Sequence, residues 1–182
     1  MTERSEVLLA LDLATTTGFV AGAIGGTPVH GSKRLASPGA SGPEVFGGYI
    51  AWLVDMIKVH APRVVVYEAP LAPSIVKGKT NVNTVRRLMG LAALTEGVAY
   101  RMGIYTVLEA TVADVRQHFI GRRNLPGDEG KRAVAMRCRQ LGYEPTDDNA
   151  ADALALWDYA CAMRNPKLAA LSTPMFKGAA HD

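Results

Sequence analysis

The sequence predicts a single α/β domain whose five strands form a mixed sheet with helices on its faces. Short apolar runs typical of buried strands are the first observation behind this prediction, and the clearest are LLALDL and RVVVY. The second is that three strand-like segments follow one another before any helix, as in an antiparallel meander. The third is the alternation of helices and strands that comes next, which favours parallel pairing. A length of 182 residues is typical of one domain with its own core.

The N-terminal part of the chain is predicted to form the meander. Residues 8–13 are a continuous apolar strand in which Asp12 is the one charged residue. The segment TTTG at 15–18 predicts a turn, and two further strands at 19–24 and 29–35 are separated by GGTP. These three strands are the antiparallel half of the predicted sheet.

The remaining elements follow from capping and periodicity. A helix should begin near Pro43, because Ser41 and Glu44 form a capping-box pattern, and it should end before Pro62. The other predicted elements, in order, are a strand at 63–67 that runs into Glu68, a loop at 69–79, a helix at 80–102 capped by Gly103, a strand at 104–108, a short helix opened by Thr111 and Asp114, a basic loop at 121–127, and helices at 128–141 and 147–163. We expect one domain over residues 1–164 and a mobile tail over 165–182.

Composition narrows the class of protein. Hydrophobic residues are 48% and charged residues 20% of the chain, which indicates a soluble globular protein rather than a disordered one. No apolar run approaches the roughly 20 residues that span a membrane, and the polar N-terminus MTERSEV lacks a signal-peptide pattern. Cys138 and Cys161 are interpreted as buried thiols in a reducing compartment. We therefore expect a cytoplasmic protein with no membrane partner.

Positive charge is concentrated in two regions. Seven Lys and Arg residues lie between Arg116 and Arg139 against two acids, and a second cluster contains Lys77, Lys79, Arg86 and Arg87. This distribution favours a polyanionic partner such as nucleic acid. Solvated helix faces explain the charges equally well if charge alone is considered.

Carboxylates fall where an α/β fold collects its ligands. Asp12 lies near the end of the first strand and Glu68 ends the fourth, so parallel neighbours would bring both to one sheet edge. In the last helix Asp148 and Asp152 are four residues apart and share a face, to which Asn149 also points. Clustered carboxylates repel one another, and hard divalent cations offset that repulsion. The pattern predicts two Mg²⁺ ions about 3.5–4 Å apart, with Asp12 shared by both.

Each acid also has a simpler interpretation. Asp12 could accept hydrogen bonds from the threonine turn, Glu68 could be an exposed strand end, and Asp147 or Asp148 could cap the last helix. Asp152 is the exception, because it lies among apolar residues of that helix and needs a partner.

Taken together, these motifs resemble the RuvC-type Holliday junction resolvases of the RNase H-like (retroviral integrase) superfamily. The matching segments span about residues 7–163, and they are LLALDLATTTGFV, VVVYEAP, VKGKTNVNTVRRLMGLAALTEG, EATVADVRQHFIG, GKRAVAMR and DDNAADALAL. The resemblance implies an RNase H-like fold with a five-stranded mixed sheet, and a homodimer that cuts four-way DNA junctions with Mg²⁺ or Mn²⁺. It places the protein in a bacterial or phage-infected cell, with an organelle also open.

The resemblance also implies roles for individual residues. Asp12 and Glu68 match the first two catalytic acids and Asp152 matches the last. The family carries an acid three positions before the last one, where this chain has Asn149, so we expect Asp148 as the third acid with Asn149 as a weak ligand. This departure indicates a divergent, phage- or organelle-like branch. The basic residues with implied roles are Lys131 near the scissile phosphate, Arg116, Arg122 and Arg123 on backbone phosphates, and Lys77, Lys79, Arg86 and Arg87 near the junction centre or the partner subunit.

Several functions stay open from the sequence. The same chemistry could act on other branched DNA or on structured RNA, and a decayed site would leave a non-catalytic nucleic-acid-binding module. The segment LDLATTTG also resembles the first phosphate loop of actin-like kinases, although those enzymes need two such domains. His118 is a candidate general base or a surface histidine. Two symmetric cuts need two active sites; the helix at 80–102 is the expected dimer interface through its small residues Gly90, Ala92, Ala93 and Gly97.

Overall fold

A computed structural model, which describes residues 6–70 and 82–167, contains the predicted five-stranded mixed sheet. The elements in chain order are β1 (Val7–Asp12), β2 (Thr16–Ala23), β3 (Val29–Arg34), α1 (Gly42–His60), β4 (Val64–Glu68), α2 (Val82–Arg101), β5 (Thr106–Ala110), α3 (Val112–Ile120), α4 (Gly127–Gln140) and α5 (Asp148–Arg164). The strand order is β3-β2-β1-β4-β5, in which β1, β2 and β3 are antiparallel and β1, β4 and β5 are parallel. The predicted order and type of the elements are confirmed.

The sheet separates two apolar cores. Alternate residues of β1 and β4 face opposite sides, so Leu9 and Leu11 pack with α1 and α2, whereas Leu8 and Ala10 pack with α3, α4 and α5. Helix α5 crosses β1 and β2, and ten of its seventeen residues are buried. On this side of the sheet, helices α3, α4 and α5 therefore cover β1, and α5 lies directly on it.

Caps decide where several elements begin and end. Glu44 accepts hydrogen bonds from the Ser41 backbone N–H (2.8 Å) and hydroxyl (2.7 Å), as the capping-box pattern predicts. Thr111 caps α3 by accepting from the backbone N–H of Asp114 at 3.1 Å. Ala61 ends α1 in the left-handed region with φ of 45°, which an L-amino acid adopts at a cost.

Two predicted boundaries were wrong by two or three residues. The strand predicted at 104–108 begins at Thr106, because Gly103 and Ile104 complete a Schellman motif that ends α2, with N–H groups bonded to Tyr100 and Ala99. The turn predicted at 15–18 is shorter, because Thr16, Thr17 and Gly18 already pair with β3. The predicted loop at 69–79 lies mostly outside the described residues, as does the tail beyond residue 167, and the domain boundary at 164 stays a prediction.

Two further sequence interpretations concern helices and cysteines. Cys138 and Cys161 are free and buried, as predicted. In the described part of the chain, no helix combines the length and apolar character required to cross a membrane.

The expected interface residues Gly90 and Ala92 were a wrong choice, because a Cβ on Gly90 would lie 2.5 Å from the Phe46 ring and Ala92 is buried. Both residues pack α2 within its own subunit rather than against a partner.

Candidate active site

Asp12 and Glu68 end two strands that lie side by side. Strands β1 and β4 are parallel, with Leu11 opposite Tyr67, so the next residue of each strand is one of these two acids. Side-chain alternation places both carboxylates on the side of the sheet that α5 covers. Carboxyl ends of neighbouring parallel strands are where α/β folds bind ligands, and here that edge is acidic.

Gly18 lets helix α5 approach this edge closely. Gly18 pairs with Asp12 across the β1–β2 ladder, and a Cβ at this position would lie 2.0 Å from the backbone carbonyl oxygen of Asn149. No residue other than glycine fits under that carbonyl without a shift of the helix. The contact therefore fixes the first turn of α5, and with it Asp152, above the end of β1.

Three carboxyl groups interact strongly at this point. Burial, followed by the charges of Glu68 and Asp152, raises the pKa of Asp12 well above its ordinary value. Burial and then the charge of Asp152 raise the pKa of Glu68 from 4.5 to about 7. Burial also raises the pKa of Asp152. These three acids come from β1, β4 and α5, and each disfavours ionisation of its neighbours because they share one poorly solvated space.

The acids at the start of α5 have different surroundings. Asp148 is exposed and forms an ion pair with Lys131 at 3.4 Å, and its charge raises the pKa of Asp152. Asp147 caps α5 by accepting from the N–H of Ala150 at 2.8 Å, so the prediction that one of this pair is a cap is confirmed. Asp147 also accepts a hydrogen bond from Ser32 of β3, and its charge acts on Asp12. Asp148 lies at the rim of the cluster, whereas Asp147 links α5 to the sheet.

Two cations balance part of this negative charge. The charge of Lys131, at the start of α4, offsets part of the rise in the pKa of Asp12 and Asp152. The charge of Arg116, on α3, does the same for Glu68 and Asp152. The Arg116 guanidinium packs over Gly130, where a Cβ would lie 2.8 Å from its Cζ atom. Sequence reasoning gave Arg116 only a role on backbone phosphates and missed its place beside the acids. The signal in the sequence was Gly130, since a residue without a side chain leaves room for the guanidinium of Arg116.

The other basic residues of the sequence prediction are spread over the surface. Arg123 pairs with Asp114 at 2.8 Å and Arg122 with Glu129 at 4.0 Å, and all four side chains are well exposed. Arg86 is exposed near the start of α2. Arg87 is half-buried and donates to the Thr15 hydroxyl at 3.1 Å, which ties α2 to the β1–β2 turn next to Asp12. Lys77 and Lys79 lie outside the described residues.

His118 lies in a different environment from the carboxylate cluster. Its Nε2 atom is 2.8 Å from Asp158 of α5, and both side chains are largely buried. The ring also contacts Tyr159 edge to face at 5.7 Å. His118 is therefore not a free surface histidine, since it joins α3 to α5.

The donor atoms of the cluster are suited to a hard divalent cation. Carboxylate oxygens are the ligands that Mg²⁺ and Mn²⁺ prefer, and here three carboxyl groups repel one another. Among the described residues, Lys131 and Arg116 offset part of this repulsion. Within residues 6–70 and 82–167, no three His, Cys, Asp or Glu side chains are arranged as a ready metal-binding group. Ion binding would therefore require the side chains to adjust around their fixed backbone positions.

Comparison with known proteins gives a result at the level of structure alone. No family model and no curated protein sequence matches the chain. Among solved structures, Thermus thermophilus RuvC aligns with a TM-score of 0.64 at 20% identity, covering 87% of this chain and 95% of that chain. T. thermophilus RuvC in complex with a Holliday junction substrate aligns with a TM-score of 0.66 at 19% identity, covering 93% and 99%. The yeast mitochondrial Holliday junction resolvase Ydc2 aligns with a TM-score of 0.60 at 10% identity, covering 92% and 84%.

These alignments show that the chain has the RuvC-type, RNase H-like fold over nearly its whole length. The resemblance drawn from the sequence motifs is confirmed for the fold.

Proposed function

We propose that the chain is a divalent-metal-dependent endonuclease that resolves four-way DNA junctions by hydrolysing phosphodiester bonds. The observation on which this depends is the convergence of Asp12, Glu68 and Asp152 at the carboxyl ends of β1 and β4 beneath α5. The RuvC-type fold supports it, since structural neighbours include the resolvase Ydc2 and a RuvC bound to a Holliday junction substrate.

The acids would hold two Mg²⁺ or Mn²⁺ ions per site. Asp12 is central, because both other acids act on it, so we propose it as the ligand common to the two ions. Glu68 and Asp152 would each complete one side, with Asp148 as a further ligand at the rim and Asn149 as a weaker one. Bound divalent cations lower the pKa of a coordinated water and neutralise charge on a scissile phosphate and its leaving oxygen.

Lys131 and Arg116 would act on the substrate phosphate. The charges of both act on Asp152, and Lys131 is exposed and paired with Asp148. A cation that loses its carboxylate partners to metal ions is free to donate to non-bridging phosphate oxygens, and Arg can do so with two parallel bonds. Arg122, Arg123 and Arg86, which are exposed, would contact the backbone further away, together with Arg87 and the lysines at 77 and 79. Phosphate contacts of this kind position DNA without reading its sequence.

The direct test is nicking of a synthetic four-way junction with Mg²⁺ or Mn²⁺. We expect Asp12→Asn, Glu68→Gln and Asp152→Asn each to abolish cutting while leaving junction binding in place. Asp55→Asn is the matched control, because Asp55 is an exposed acid on α1, on the opposite side of the sheet. Undiminished cutting by the Asp12 or Glu68 variants would refute the proposal.

A substrate panel separates the alternatives. If the proposal is right, four-way junctions should be cut in preference to flaps, forks, duplexes and structured RNA. Preference for another branched substrate would keep the chemistry and change the substrate. Binding of junctions in EDTA with no cutting in any metal would instead indicate a non-catalytic nucleic-acid-binding module. The predicted cellular compartment, a bacterial or phage-infected cytoplasm or an organelle, stays a proposal.

We further propose a homodimer formed through the outward face of α2. Val82 and Tyr100 on this helix are 79% and 71% exposed, and Tyr105 just beyond it is 77% exposed and stacks edge to face on Tyr100. Between them Gly97 has open space around its missing Cβ, which allows a second helix to approach. Exposed large apolar side chains in a row are typical of an interface, and a two-fold pair would supply the two sites needed for paired cuts.

Sedimentation velocity at micromolar concentration tests the dimer. Tyr100→Glu should give a monomer, whereas Val59→Glu should stay dimeric, because Val59 is 75% exposed at the end of α1, outside the proposed face. A wild-type monomer would contradict the dimer without affecting the assignment of the carboxylates.

A further inference from the structure

An open groove of about 790 Å³ lies between the end of α3, the connection that follows it, and α4. We call it the α3–α4 groove. It does not contain the three clustered carboxylates. Its lining combines apolar side chains with three arginines and one acid. The residues used below are the apolar Ile120, Leu125 and Met136, the arginines Arg122, Arg132 and Arg137, and the acid Glu129.

We propose that the α3–α4 groove holds the sugar–phosphate backbone of one DNA arm beyond the active site. This inference rests on the proposed function, because it assumes a DNA substrate, and it adds a binding surface that the acids and their neighbours do not supply. Three arginines against one glutamate give the groove a positive balance. Arginine side chains can bind the phosphates, and the apolar side chains of the groove can pack against the deoxyribose rings between successive phosphates. A purely cationic surface would bind the phosphates alone.

Arg116 makes the groove continuous with the active site. The positive charge of its guanidinium acts on Glu68 and Asp152, where it offsets part of the rise in their pKa. The same group packs on Gly130 of α4 and approaches the carbonyl oxygen of Leu125, which lines the groove, at 3.5 Å. A backbone leaving a phosphate near Lys131 would therefore pass Arg116 and enter the groove directly.

The dimensions of α4 set how far from the cut the contact should lie. The helix rises about 1.5 Å per residue, so its groove-lining part from Glu129 to Gln140 covers about 16 Å. Phosphates of one strand are spaced about 3.4 Å apart along the duplex axis. The groove thus accommodates about five consecutive nucleotides, which would be those next to the nucleotides held at the carboxylates.

The salt dependence of junction binding, measured in EDTA by fluorescence anisotropy, is the first test. Arg132 and Arg139 are both exposed arginines of α4, but only Arg132 lines the groove. We expect Arg132→Ala to reduce the slope of log affinity against log salt by about 0.9, so that wild-type affinity falls about 3-fold more than that of the variant between 50 and 200 mM salt. Arg139→Ala, the matched control with the same change in charge, should leave the slope unchanged.

A crosslink provides the second test and locates the contact. Met136 is 57% exposed in the groove, and the two native cysteines are buried, so Met136→Cys can be labelled selectively with a photoreactive maleimide. We expect crosslinks to one arm, within about five nucleotides of the cutting position. Equal slopes for the Arg132 and Arg139 variants, together with no crosslink to DNA, would overturn the inference and would be the result if the groove bound a peptide.

These outcomes are separable from failure of the proposed function. A protein that binds and cuts junctions normally, yet gives no crosslink and no difference between the two arginine variants, retains its active site and loses only the groove. A protein that does not bind junctions at all overturns both proposals.

Discussion

Replacing Glu68 with glutamine should stabilise the metal-free protein at alkaline pH, although it removes a proposed catalytic acid. Glu68 ends β4 with its carboxyl group largely buried beside Asp12 and Asp152. Without a cation, ionisation of this group places charge in a poorly solvated and already acidic space. The folded protein therefore bears a cost that the unfolded chain does not.

The size of this cost follows from the pKa of Glu68. Folding raises it from 4.5 to about 7, and each pKa unit corresponds to about 1.4 kcal/mol, so the full effect is about 3 kcal/mol. Below pH 4.5 the group is protonated in both states and contributes nothing. As the pH rises through 4.5 the unfolded chain ionises first, so stability is lost progressively and the loss is complete above about pH 7. Asp12 and Asp152 act in the same direction.

Chemical denaturation followed by circular dichroism measures the effect. In EDTA at pH 8 we expect the free energy of unfolding of Glu68→Gln to exceed that of the wild type by about 3 kcal/mol, and at pH 4.5 we expect the two to differ by less than about 1 kcal/mol. Glu144→Gln, a change at an exposed residue between α4 and α5, is the control and should give little difference at either pH.

Metal ions should remove most of this difference. Adding Mn²⁺ at one hundred times its dissociation constant should stabilise the wild type by about 2.7 kcal/mol at pH 8, and it should stabilise Glu68→Gln much less. The reasoning would be refuted if Glu68→Gln were no more stable than the wild type in EDTA at pH 8. It would also be refuted if the difference were the same at both pH values, because a difference independent of pH does not arise from ionisation.

Three further predictions concern packing and charge. Gly18→Ala should cost more than about 2 kcal/mol and abolish cutting, because its Cβ would lie 2.0 Å from the Asn149 carbonyl oxygen, whereas Gly47→Ala, in open space on α1, should stabilise by about 0.5–1 kcal/mol in thermal and urea unfolding. Ala61→Gly should stabilise by up to about 1 kcal/mol, because φ is 45° there, and an equal or lower stability would argue against strain at this cap. Arg116→Met should raise the pH at which the metal-free protein's carboxyl groups titrate, which NMR can follow, and an unchanged titration would show that the guanidinium does not act on them.

The carboxylates show how much of the candidate site can be predicted from short stretches of sequence. Asp12 and Glu68 were predicted to meet because each ends an apolar strand, and parallel pairing of β1 with β4 brings them to one edge. Asp152 was predicted because a carboxylate in an apolar helix needs a partner. In each case the signal lies within about ten residues of the acid and depends on strand or helix periodicity, which neighbouring residues determine.

It was harder to predict from the sequence which residue at the start of the last helix would lie next to the other acids. Asp147, Asp148 and Asn149 lie where the helix begins, and a shift of one residue in the predicted start changes which of them is the cap and which way the others point. The structure distinguishes them through contacts with distant elements, since Asp147 meets Ser32 of β3, Asp148 meets Lys131 of α4, and the carbonyl of Asn149 meets Gly18 of β2. Those partners are determined by how α5 is docked, and docking depends on the whole apolar core.

The amino-acid sequence alone determined the order and type of the elements and several helix caps, and it predicted the acids Asp12, Glu68 and Asp152 as a site, because these depend on interactions between near neighbours along the chain. Tertiary structure alone decided that the charge of Arg116 acts on the acids, that Gly90 packs inside the subunit, and that a groove opens beside α4. Each of these results from side chains far apart in sequence filling one space, and that packing is determined only when the elements come together.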